Sequence, residues 1–73
     1  MRISYDSEVD ALYIRLIDET VEVTTRQVSE DVAIDYAPNG AIVGIEVLDA
    51  SEHVFGGDGT PAVTLENLIA RSA

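Results

Sequence analysis

The sequence predicts an α+β fold: a small antiparallel β-meander of four to five strands with one short C-terminal helix. Three observations carry this. Val32, Ile34 and Tyr36 alternate with Ala33 and Asp35, and Val43, Ile45 and Val47 alternate with Gly44 and Glu46. Strands send successive side chains to opposite faces, so this period of two marks a half-buried hairpin. Ala37-Pro38-Asn39-Gly40 lies between the two runs and supplies the turn. Finally, Leu65, Leu68 and Ile69 stand at i, i+3 and i+4, the spacing of one helical stripe.

The first strand is Arg2 to Tyr5. Asp6-Ser7-Glu8-Val9-Asp10 breaks it with turn-forming polar residues. Ala11 to Ile17 resumes, with Leu12, Ile14 and Leu16 on one face and Tyr13 and Arg15 on the other. After Asp18-Glu19-Thr20, the stretch Val21 to Val28 alternates less cleanly and suits an edge strand. The hairpin follows. The single domain, 1–73, then divides into the sheet (1–52), a Gly-rich connection (53–63) and a helix (64–72) started by Thr60-Pro61 or Thr64. So short a helix cannot persist alone in water and must dock. The expected core is Ile3, Tyr5, Leu12, Ile14, Leu16, Val32, Ile34, Val43, Ile45, Val47, Leu65, Leu68 and Ile69.

The register of the hairpin follows from its pattern. A two-residue Asn39-Gly40 turn pairs Tyr36 with Val43, Ile34 with Ile45 and Val32 with Val47. A four-residue loop also keeps the apolar residues on one face. A three-residue loop sets Ile34 against Gly44 and Val32 against Glu46, which the pattern opposes. An even loop is therefore expected, and Asn-Gly favours the shorter one.

Composition narrows the function classes. A chain of 73 residues buries only about 60% of its unfolded surface. With no cysteine, neither disulfides nor thiolate–zinc sites reinforce it. Association, foremost as a homodimer, is the remaining route to burial. No apolar run approaches a membrane span and no signal segment opens the chain, so a cytoplasmic protein is the expectation. Fourteen carboxylates face four arginines and no lysine, for a net charge of -10. That charge repels phosphate backbones and anionic membranes, which argues against direct nucleic-acid binding. It fits a surface made for solubility, a high-salt interior, or steering toward a basic protein partner.

Two separated motifs carry a resemblance. Tyr5, Asp6, Asp10, Ala11, Leu12, Tyr13 and Ile14 form the first; Gly44, Ile45, Glu46, Val47, Leu48, Ala50 and Ser51 form the second. In order and spacing they resemble the domain-of-unknown-function family DUF2283, small prokaryotic proteins, over residues 1–52. The resemblance implies a small β-meander with a C-terminal helix and no established activity. Through similar families whose members sit beside small toxin-like proteins, it implies an antitoxin-like role.

Candidate sites are few. Asp6, Glu8 and Asp10 alternate as a calcium loop begins, but Ala11 and Ile17 stand where that loop needs Gly and Glu. An acidic turn is the plainer reading; a weak divalent-cation site is the other. Asp35 and Glu46 share the face opposite the aliphatic row. Such a pair can do acid–base work if burial separates their pKa values, but solvation, or pairing of Glu46 with Arg15 or Arg26, is the commoner outcome. His53 has no second histidine or cysteine for a metal site and no nucleophile for a triad, which leaves it a surface or contact role. Gly56-Gly57-Asp58-Gly59 lacks the Lys-Ser/Thr of a phosphate cradle and reads as a loop. Tyr13, beside Arg15, is the candidate anchor of a partner-facing surface, with Glu8 and Asp10 supplying the field. No catalytic residue and no cofactor is expected. The leading expectation is thus a non-enzymatic interaction protein that binds a basic protein; a cation- or ligand-binding module comes second and an enzyme third.

Overall fold

The structure, a computed structural model, describes residues 1–56 and 61–71. Five strands form one antiparallel sheet: β1 (Arg2–Asp6), β2 (Ala11–Arg15), β3 (Thr24–Gln27), β4 (Val32–Tyr36) and β5 (Ile42–Leu48). Their order across the sheet is β1-β2-β5-β4-β3. Within the antiparallel β-meander of four to five strands expected from sequence, β3, β4 and β5 lie side by side in chain order, and the β1–β2 hairpin joins along β5. The longest and most apolar strand, β5, is therefore central, and the polar strand β3 (TTRQ) takes an edge. A single turn of helix, α1 (Ala50–His53), follows β5.

The β4–β5 connection joins two of the expected alternatives. The Gly40 N–H donates to the Ala37 carbonyl at 2.9 Å, and the Ala37 N–H to the Ala41 carbonyl at 2.8 Å. This closes a three-residue loop, Pro38-Asn39-Gly40, instead of the expected even one. Gly40 takes φ 88°, the left-handed position such loops reserve for glycine. The expected strand register nevertheless holds: Ile34 faces Ile45 and Val32 faces Val47. A bulge reconciles the two. Tyr36 pairs with Ile42 and Asp35 with Gly44, so Val43 is the extra residue. Val43 is fully buried, and its carbonyl accepts the Leu16 N–H at 2.7 Å.

Pairing assigns the two faces. Ile3, Tyr5, Leu12, Ile14, Val32, Ile34, Tyr36, Ile45 and Val47 share one, with Thr24 and Arg26 at its β3 edge. No strand carboxylate stands on this face. Asp6, Asp35 and Glu46 stand on the other, with Tyr13 and Arg15.

Burial is slight. Only Leu12, Ala33, Val43 and Ala50 are buried among the described hydrophobic residues. The aliphatic row Ile14, Ile34, Ile45, Val32 and Val47 stays half-buried, and Ile3 and Leu16 of the expected core are exposed. The helix expected over 64–72 is absent through residue 71: residues 61–71 carry no helix or strand, and Asn67 has φ 55°. Its intended stripe is open, with Leu65, Leu68 and Ile69 at 66%, 76% and 88% exposure. Two turns do not by themselves offset the cost of helix nucleation. Of the connection placed at 53–63, residues 57–60 lie outside the described residues, as does residue 72 of the helix.

Candidate functional site

Three polar clusters are built by this topology. The first centres on Asp10. The four residues Ser7 to Asp10 close the β1–β2 hairpin, and Asp10 adopts φ 55°, a conformation Asp tolerates better than most residues. Its carboxylate then points toward the end of β5. Tyr5 Oη donates to Asp10 Oδ1 at 2.6 Å. The Ser51 N–H donates to Oδ1 at 2.9 Å and the Ser51 hydroxyl to Oδ2 at 2.6 Å. The Ala50 N–H reaches the Asp10 carbonyl at 3.0 Å. The Ser51 hydroxyl, followed by Tyr5, holds the Asp10 carboxyl below its ordinary pKa. The same hydrogen bond raises the Tyr5 phenol, because ionising it would set two anions together. The Tyr5 ring meets Phe55 edge-on, with centroids 5.0 Å apart. Asp10 is thus the clasp between the first hairpin and α1.

That geometry bears on the acidic turn. Asp10 commits both oxygens to the clasp, and Asp6 Oδ1 accepts the Glu8 N–H at 3.0 Å. Asp6, Glu8 and Asp10 do not converge as ligands among the described residues. Glu8 is exposed at the hairpin tip.

The second cluster occupies the carboxylate-bearing face. Tyr13 lies across Gly44, where an added Cβ would collide with the Tyr13 hydroxyl and Cζ. Glycine here is a requirement of close approach. The hydroxyl donates to Asp35 Oδ2 at 2.8 Å, and the Thr25 hydroxyl donates to Oδ1 at 2.5 Å. Burial, then Asp35, raises the Tyr13 phenol. Asp35 is therefore satisfied by two hydroxyls and not by an arginine. Arg26 lies on the opposite face, and Arg15 donates to the Glu19 carbonyl at 2.7 Å. Tyr13, the candidate anchor of a partner-facing surface, is half-buried and makes this hydrogen bond within the sheet. Glu46 faces Tyr13 across β2–β5 and is exposed.

Sequence reasoning did not reach the third cluster. Asp31, Asp49 and His53 bring one potential ligand atom each within 4.8 Å of one another. His53 Nε2 and Asp31 Oδ2 are hydrogen-bonded at 2.9 Å. Two signals in the sequence could have revealed it. Asp49 and His53 are spaced i, i+4, one helical turn apart. The Val32–Val47 register also sets Asp31 beside Leu48, whose N–H donates to the Asp31 carbonyl at 2.8 Å.

The clusters sit on a one-sheet scaffold with a short helix after β5. The class is a small sheet-forming protein whose signature residues hold its own parts together. The family named Protein of unknown function (DUF2283) matches residues 2–51, and the chain belongs to that family. No curated protein and no solved structure matches the chain. Tyr5, Asp10, Ala50 and Ser51 all lie in that matched span and form the clasp. No helix among the described residues is long and apolar enough to cross a membrane.

Proposed function

We propose that this chain is a non-enzymatic interaction protein that pairs with a second copy through its aliphatic sheet face and offers its acidic remainder to a cationic protein. One observation carries the reading: a chain of net charge -10 keeps every strand carboxylate off one face of a single-layer sheet. A sheet with one apolar face needs a second layer to cover it. The chain exposes 5748 Å², whereas a compact monomer of its mass exposes about 4,400 Å². Residues 61–71 are exposed, and the Ile14–Ile34–Ile45 row is half-buried. A standard interface takes about 800 Å² from each partner. Because the face bears no strand carboxylate, two copies meet there without placing acid against acid.

Pairing in this way would leave Asp6, Glu8 and Glu46 outward. Such a surface accelerates encounter with a cationic protein and competes with nucleic acid for it. This is the chemistry of an antitoxin-like role. Association with a basic protein should slow as salt rises past about 0.15 M, where the screening length is roughly 8 Å. The experiment is association kinetics with the basic product of a neighbouring gene, using the native chain and a Glu8→Gln/Glu46→Gln variant. Slower association of the variant supports the reading. Absence of binding at low salt rejects the cationic partner.

A further inference from the structure

We infer that Asp31, Asp49 and His53 form a site for a first-row divalent transition metal of the zinc class. The three groups come from separate, anchored positions. Asp31 precedes β4, and its carbonyl is tied to Leu48 of β5 at 2.8 Å. Asp49 precedes α1, and its carbonyl accepts the His53 N–H at 3.1 Å. The backbone thus holds all three ligand positions before any ion arrives. Their ligand atoms lie within 4.8 Å of one another. Ligands at about 2.0–2.2 Å from zinc stand roughly 3–4 Å apart, so small side-chain rotations complete the geometry.

Charge explains why a cation belongs there. The imidazole is already engaged with Asp31. Asp49 brings a second carboxylate to the same point. Asp49 also occupies the N-cap position of α1, where Asp ordinarily accepts a backbone N–H, yet its side chain makes no capping bond. One imidazole balances at most one of these carboxylates, and a divalent ion balances both. The donor set selects the ion. An imidazole nitrogen with two carboxylates suits zinc, cobalt or nickel, whereas calcium takes six to eight oxygens. Three protein ligands leave a coordination position for water or for a group from another molecule.

The experiment titrates the full-length, chelator-treated protein with Co²⁺, read by visible absorption, and with Zn²⁺, read by calorimetry. One saturable equivalent is expected. His53→Gln, Asp31→Asn and Asp49→Asn should each weaken it by about tenfold or more. Glu52→Gln, a neighbouring exposed carboxylate, should leave it unchanged. Paramagnetic broadening by Co²⁺ in the native chain should centre on the His53 ring, a readout independent of how the variants fold. Absence of saturation at millimolar metal would overturn the proposal. So would equal affinity in His53→Gln, or broadening centred on Asp6 and Glu8.

Discussion

Replacing Gly44 by alanine tests how the carboxylate-bearing face is packed. The new methyl would overlap the Tyr13 hydroxyl and Cζ and stand 3.0 Å from Cε2. All three atoms move with one ring, so Tyr13 must swing away. It then loses the 2.8 Å hydrogen bond to Asp35. Forced repacking of this kind costs about 1–3 kcal/mol, and the lost hydrogen bond to a charged acceptor adds about 1.5 kcal/mol or more. Together, about 2.5–4.5 kcal/mol is a large share of the stability of so small a domain. Tyr13→Ala removes the same ring and the same hydrogen bond. In that background the methyl introduced by Gly44→Ala enters vacated space and should cost almost nothing. Urea unfolding of the native chain, both single variants and the double variant gives the coupling. It should approach the whole cost of Gly44→Ala in the native chain, because little of that cost survives in the Tyr13→Ala background. Additivity of the two substitutions would refute the close approach of Tyr13 to Gly44.

Other expectations follow from the clasp, the faces and the tail. The Asp10 carboxyl should titrate below its ordinary value by NMR, and Ser51→Ala should raise its midpoint. Because its folded pKa is depressed, the stability it contributes is present above its unfolded value and lost as pH falls through the folded one. Tyr5 and Tyr13 have the opposite sign. Their contribution is complete below the ordinary phenol range and lost as pH rises through their raised values, so alkaline unfolding should shift in Tyr5→Phe. Ile45→Glu should destabilise the chain far more than Glu46→Leu in thermal melts, since only the first puts a carboxylate on the aliphatic face. Removing residues 57–73 should leave the circular-dichroism signature of the sheet intact, because the described residues 61–71 are exposed throughout.

Much of the fold is legible in the sequence because strand pairing repeats every two residues. The alternation around Ile34 and Ile45 yields the register, and the polar TTRQ stretch marks the edge strand. Loop detail is less legible. A bulge at Val43 lets an odd loop coexist with the even register, and nothing in the alternation distinguishes the two. The C-terminal segment misleads for a physical reason. Leu65, Leu68 and Ile69 have helical spacing, but spacing decides nothing without a surface to bury the stripe. The site residues divide in the same way. Tyr13 and Asp35 are legible as a face, whereas their hydrogen bond depends on Gly44 leaving room. His53 looks partnerless until the register brings Asp31 alongside.

The central claim is that the carboxylate-free face joins two copies. Sedimentation equilibrium at micromolar concentration tests it most directly, with salt high enough to screen the acidic surface. The expected particle has twice the 7.9 kDa of one chain, and Ile34→Glu, at the middle of that face, should reduce it to one. A 7.9 kDa particle at every concentration of the native protein would contradict the claim.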